Sequence, residues 1–180
     1  MSVSKFIKKM MFSRQLNFKK GEFEMLGIRG AVIPVRTFTH MIESVYREQG
    51  ADAFSILFET GKEHGKLGVE KLGKKHSVSK RKFLEEIIES GNVMGMGKAE
   101  IKSFNPQEGL LRVNLKNSPF EEEFRRSEEL NDIDRSIDEF QRGVFHSMAE
   151  AVFDSEVRSR EDKCSFQGDM HCEFIFKEVD

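Results

Sequence analysis

The last stretch of the chain constrains its fold most strongly. Residues 158–177 read RSREDKCSFQGDMHCEFIFK and hold both cysteines, Cys164 and Cys172. Gly168 and Asp169 mark a turn between them. After it, Cys172, Phe174 and Phe176 face one side while His171, Glu173, Ile175 and Lys177 face the other. That alternation predicts a hairpin with a half-buried second strand. Glu161 stands three residues before Cys164. A carboxylate and two thiols gathered where one strand ends and its partner begins form most of a metal site.

The rest of the chain reads as a scaffold around this hairpin. At 180 residues it is long enough to bury a real core and is expected to form one domain spanning 1–180. Its net charge of −2 supplies no global basic field for nucleic acid. No apolar run approaches the roughly 20 residues of a membrane span, and no segment at the N-terminus has signal-peptide character. We expect a cytoplasmic protein without nucleic-acid or membrane partners, in which two cysteines are more often thiols or ligands than a disulfide. There are 17 Phe, nine Met, one Tyr and no Trp. Phe carries no polar atom that needs a partner, and Met fills irregular gaps. Such an interior suits a plain core first and an apolar ligand pocket second.

A hairpin is expected over about 13–35, with its turn at Lys19–Gly21 and a third extended segment in GIRGAVIPV. Residues 2–11 read as a short helix or an arm. A helical part over about 37–91 follows. Thr37 is placed as the N-cap of its first helix, Asp52 of the second and Ser79 of the third, with Gly91 as the last stop. The second helix carries Ala53, Phe54, Leu57, Phe58, Gly61, Gly65 and Gly68 on one stripe. Each helical glycine costs about 1 kcal/mol against Ala, so the stripe marks a place where another backbone or a ligand comes close. Close helix packing is the commoner reason. A strand pair over about 97–116 turns at Asn105–Gly109. Residues 117–131 read as a charged surface loop with a helical turn, the best lid candidate, with a plain solvated connection the commoner case. A long helix from Asp132 to about Phe153 leads into the final hairpin, so that this last unit covers about 132–178.

On a flat strand Glu161 and Cys164 point to opposite faces. They share an ion only if the chain curls away at about Cys164, which Ser165–Gly168 allow. The long helix offers Asp138, Glu139 and His146 as a fourth ligand. From the residues alone, a metal site, two packed thiols and a disulfide all stay open. Signals for catalysis are thin. His171 adjoins Cys172 but points away from it. His40, His64 and His76 have no acidic partner at a telling spacing. Gly95-Met96-Gly97 opens a strand, whereas a nucleotide loop opens a helix, so no nucleotide cofactor motif is present. The basic cluster Lys74, Lys75, Lys80, Arg81 and Lys82 lacks the interleaved aromatics of a nucleic-acid surface.

EDKCSFQGDMHCEFIF resembles the signature of the 4-vinyl reductase domain family: Glu, two residues, Cys, a Gly-Asp turn, Cys and an apolar strand. FETGKEHGKLG and GMGKAEIKSF occur in the same order in small archaeal members. The resemblance implies an α+β fold, an antiparallel sheet packed by helices on one side, like core subunits of the TRAPP vesicle-tethering complex. It implies a sensor or carrier of small hydrophobic or aromatic molecules with a structural zinc ion beside an apolar cavity. Glu161, Cys164 and Cys172 match three zinc ligands. The fourth position aligns, through Gly143, with Asp138 where relatives carry Cys, and His146 is the fallback. The cavity is then expected to be lined or flanked by Phe54, Leu57, Phe58, Gly61, Gly65, Phe140, Val144 and Met148. A homodimer and a separate output protein are the expected partners. Two other readings are carried: an enzyme or accessory factor in tetrapyrrole vinyl-group reduction, and a protein-interaction scaffold without a ligand.

Overall fold

The computed structural model describes residues 16–25, 27–73, 79–131, 133 and 138–179. The expectations for residues 2–11, Lys74, Lys75, His76, Asp132 and Ile137 lie outside them. Three short strands come first: β1 (Leu16–Lys19), β2 (Glu22–Met25) and β3 (Ile28–Gly30). They form an antiparallel sheet in that order. Gly21, with φ 78°, makes the first turn, as expected from a residue without a Cβ. The third strand ends earlier than the apolar run predicted, and Val32 and Ile33 are left exposed.

Three helices follow: α1 (Val35–Gln49), α2 (Asp52–Gly73) and α3 (Lys80–Val93). Two boundaries differ from expectation. Helix α1 begins after Pro34 and not after Thr37, because the Thr37 amide already donates to the Pro34 carbonyl at 3.0 Å. Helix α3 is capped by Ser79, whose hydroxyl accepts from the Lys82 amide, but it runs past Gly91 to Val93.

Strands β4 (Lys98–Asn105) and β5 (Leu110–Lys116) then pair across a turn in which the Asn105 side chain accepts from the Gln107 and Glu108 amides. The stretch read as a charged loop with a helical turn contains a longer helix, α4 (Pro119–Arg126). Pro119 occupies its first turn, where a missing N–H costs nothing. Phe120 and Phe124, four apart on one face, are both buried. Among the described residues the long helix α5 spans Glu139–Phe153, with Asp138 at its N-cap position. The Asp138 carboxylate is engaged elsewhere and makes no capping bond, and the predicted start at Asp132 lies outside the described residues. Strands β6 (Val157–Lys163) and β7 (Cys172–Glu178) close the chain around a short 3₁₀ turn, Ser165–Gln167.

The second sheet has the order β4–β5–β7–β6 and is antiparallel throughout. Leu111, Val113, Leu115, Cys172, Phe174 and Phe176 point inward and are almost fully buried. Each apolar side chain so buried contributes about 1.5–3 kcal/mol relative to exposure. Helices α2, α3 and α5 supply the opposing layer, so the class is α+β with helices packed on the inner face of this sheet. Helices α2 and α5 form the closest pair. A Cβ on Gly61 would lie 2.0 Å from the Phe140 carbonyl oxygen, and one on Gly143 would lie 2.1 Å from that of Phe58. The glycines thus bring two backbones together. No helix of the described residues is long and apolar enough to cross a membrane.

Candidate ligand cavity and metal-type cluster

The expected parity problem is solved two residues earlier than anticipated. Strand β6 pairs Glu161 with Phe174 and then Lys163 with Glu173, so the register slips at Asp162. A bulge of this kind inserts one residue and re-aims the chain. Glu161 therefore stays on the inner face with Phe174, and Cys164 reaches the same side before the 3₁₀ turn begins. The donor atoms of Glu161, Cys164 and Cys172 lie within 4.8 Å of one another.

The turn is held from several sides. Asp169 accepts from the Cys164 amide at 2.9 Å, and Gly168 adopts φ 106°. Arg125 of α4 donates to the carbonyls of Ser165 and Phe166 at 2.9 and 3.0 Å and stacks over the Phe166 ring. The Ser165 hydroxyl donates to Glu121 at 2.8 Å. The segment expected as a lid is thus a brace for the cysteine turn.

Asp138 meets this cluster through Cys172. The Cys172 thiol donates to Asp138 Oδ2 at 3.0 Å, and the Ser118 hydroxyl donates to Oδ1 at 2.6 Å. The Ser165 amide also points at Cys172 Sγ, at 3.3 Å. Burial pushes the Asp138 carboxyl above its ordinary range. Pairing with the Cys172 thiol lowers the Cys164 pKa to about 6. Cys172 is pushed up by pairing with Cys164, by burial and by the nearby Asp138 charge. Both cysteines are free thiols, which sets aside the disulfide alternative in this structure. His146 stands apart from the cluster. Its ring nitrogens meet Ser159 Oγ at 3.0 Å and Glu150 Oε1 at 3.2 Å.

A cavity of about 80 Å³ opens between α2, α3, α5 and the start of β4. Gly65, Val144 and Met148 line it as expected, together with Gly68, Ile87, Ile88, Met96, Phe145 and Gln141. Phe54, Leu57, Phe58, Gly61 and Phe140 do not. Phe54 packs edge-on against Tyr46, and Leu57 is core. Phe58 lies under the Arg142 guanidinium, and Gly61 touches the Phe140 backbone. Phe140 itself joins Phe38 and Phe120. The helical stripe was thus divided between packing and cavity, and the contribution of α3 was missed. Ile87 and Ile88 carry the same apolar pattern whether they meet side chains or a void. Gln141 left a legible signal, a polar residue on the buried stripe of α5. Among the other histidines, His40 does have an acidic partner, Glu43, at 2.6 Å.

No family model matches the sequence, and no curated protein is a detectable relative. Solved structures share its fold. The phenol-responsive sensory domain of the transcription activator PoxR, solved with phenol, is 16% identical; the match covers 99% of this chain and 92% of that one, with a TM-score of 0.84. A vinyl-4-reductase family protein from Methanocaldococcus jannaschii is 24% identical over 84% and 85% of the two chains, with a TM-score of 0.53. A trafficking protein particle complex subunit 3 from Naegleria fowleri, covalently bound to palmitic acid, is 15% identical over 80% and 92%, with a TM-score of 0.55. The architecture is therefore that of 4-vinyl-reductase-like and TRAPP-like domains.

Proposed function

We propose that the protein binds a small, largely apolar molecule in the cavity between α2, α3 and α5, and holds one structural zinc ion at Asp138, Glu161, Cys164 and Cys172. The observation that carries the reading is the cavity, enclosed by helices and walled mainly by aliphatic and Met side chains, as small-molecule sites are. The phenol in PoxR supports it by likeness of fold. A bulge and a braced turn gather three of the donors, Glu161, Cys164 and Cys172, and Asp138 stands outside that group but touches Cys172. Two thiols and two carboxylates suit zinc. Burial raises the Asp138 pKa, and zinc would compete with that proton and join the α5 N-terminus to the β6–β7 hairpin. Ser118 and Ser165 would then orient the ligands from behind.

We also read the protein as a cytoplasmic homodimer that passes its signal to a separate output protein. The sheet β1–β3 makes no substantial contact with another described element, and Met41 and Val45 are exposed one turn apart on α1. A second copy covering these surfaces accounts for both. Native mass spectrometry before and after denaturation tests the reading. The expected result is a dimer that retains zinc and a small molecule, both released on unfolding. Monomeric protein holding neither, with no affinity for small aromatics in calorimetry, would overturn it.

A further inference from the structure

We infer that the outer face of the second sheet docks an acidic segment of a partner protein. The inference rests on the reading above only for the partner's being a protein, and it gives that partner a surface and a chemistry.

The face is built by alternation. Leu111, Val113, Leu115, Phe174 and Phe176 are core residues, so their neighbours on β5 and β7 point outward, and the register carries the same division to β4 and β6. The whole chain has 29 Lys and Arg against 31 Asp and Glu. This face does not share that balance. All four strands bring cations to it, whereas its carboxylates are Glu100, Asp162 and Glu173. Two of those carboxylates are already engaged. Glu173 holds Lys102 at 2.6 Å and Arg112 at 3.1 Å, and Asp162 holds Arg160 at 3.3 Å. Lys98, Lys116, Arg158 and Lys163 are exposed, and among the described residues none of them has a carboxylate partner.

The register makes this surplus unfavourable. Lys98 stands directly opposite Lys116, and Arg158 directly opposite Lys177. Like charges directly opposite one another destabilise a sheet. Among the described residues Lys177 meets a neutral group, the Glu108 carbonyl. Two such pairs on one face call for an anion from outside.

The layout selects the kind of anion. The two pairs are six residues apart in the register of β5, at Lys116 and Leu110, or about 20 Å along the strand. Between them, β4, β5 and β7 place Glu100, Asn114 and Glu173 in one row. A phosphate backbone or an anionic bilayer presents its charge continuously and would set it against Glu100. A polypeptide can put carboxylates at both ends and neutral residues between. The other polyanions also miss their usual second grip. Phe104, Phe174 and Phe176, the aromatic residues of these strands, point inward, which leaves no ring for a base to stack on. None of the exposed large apolar side chains among the described residues belongs to these strands, which leaves nothing to enter a bilayer.

Fluorescence anisotropy with a labelled peptide of two Glu pairs joined by a neutral spacer, and with a labelled DNA duplex, tests this. Flotation with phosphatidylserine vesicles is the third arm. The unmodified protein is expected to bind the peptide, about tenfold more weakly as salt rises from about 50 to about 300 mM. The double variant Lys116→Glu/Arg158→Glu puts opposite charges in both cross-strand pairs. It is expected to lose about tenfold or more in peptide affinity while its melting temperature holds or rises. A purely structural role for these residues would lower the melting temperature, and that result, or an unchanged affinity, overturns the inference. Absence of peptide binding by the unmodified protein overturns it as well. Tighter binding of the duplex or of the vesicles would assign the face to nucleic acid or to a membrane and overturn it equally. The cavity and metal are judged separately by native mass spectrometry, and neither outcome decides the other.

Discussion

The thiol of Cys172 sits 3.0 Å from Asp138 Oδ2, while the other oxygen of that carboxylate receives the Ser118 hydroxyl at 2.6 Å. One carboxylate thus joins the start of α5, strand β7 and the segment between β5 and α4. Asp138 is fully buried, and burial pushes its pKa up. Removing water from a charge is unfavourable unless a partner of opposite sign replaces the lost hydration. The partners here are a thiol and a hydroxyl.

Asp138→Asn keeps the shape and removes the charge. Zinc content, measured by elemental analysis after dialysis, is expected to fall well below one per chain, as are the contents of Cys164→Ser and Cys172→Ser. Asp138→Cys should retain the metal, since a thiolate is an equal or better zinc ligand. Full zinc occupancy in Asp138→Asn would remove Asp138 from the ligand set.

Two glycines on one helix should respond in opposite ways. Gly61→Ala places a Cβ 2.0 Å from a backbone oxygen, and neither helix can yield cheaply. A loss of about 3 kcal/mol or more in urea unfolding is expected. Gly68, two turns further on, has nothing within 4 Å of its Cβ position. Gly68→Ala should raise stability by about 0.5–1 kcal/mol and narrow the cavity. Equal effects at the two positions would contradict the backbone-contact reading.

His146 gives the protein an acid sensitivity. Burial is the main cause that lowers its pKa below 6.5. The unfolded chain therefore binds the proton more readily than the folded one, and stability rises with pH in that range. The contribution is complete above pH 6.5 and is lost as pH falls through the folded-state value. The stability difference between the unmodified protein and His146→Asn is expected to be smaller at pH 5.5 than at pH 7.5. Comparing the two proteins at each pH cancels the titration of Cys164 and the carboxylates. A difference independent of pH would refute the assignment.

Glu173 lies on the outer face of the second sheet yet is 1% exposed, covered by Lys102 at 2.6 Å and Arg112 at 3.1 Å. Lys102 foremost holds its carboxyl below the usual range. Both cations keep contact with water, so the loss on Glu173→Ala is expected at about 1–2 kcal/mol in chemical denaturation, below that of a fully buried pair. A change of under about 0.3 kcal/mol would mark the pair as a surface ornament, as many exposed ion pairs are.

The elements of the fold were legible wherever pattern and turn chemistry agreed. The final hairpin, the Asn105–Gly109 turn and the Ser79 cap are local features, and the sequence pattern located them. Helix α4 was hidden because its run of Glu and Arg masks Phe120 and Phe124, whose spacing alone betrays a buried face. The cluster of Glu161, Cys164 and Cys172 could be anticipated up to its parity conflict. The bulge at Asp162 that resolves it depends on pairing with β7, which no local signal encodes. The cavity was legible only in part. A stripe of Gly, Phe and Met looks the same whether it faces a helix, as at Gly61, or a void, as at Gly68. Only the tertiary arrangement separates the two.

At Gly61 and Gly143, α2 and α5 touch through main chain, with no side chain between them. Sliding of packed helices is normally absorbed by small side-chain adjustments at the interface. At these two points no side chain is there to adjust, and sliding of α2 past α5 is resisted. The cavity wall opposite this contact, α3 and the Met94–Met96 loop, carries no such main-chain contact with α2 at a glycine among the described residues and is the side on which a volume change in the cavity would be taken up.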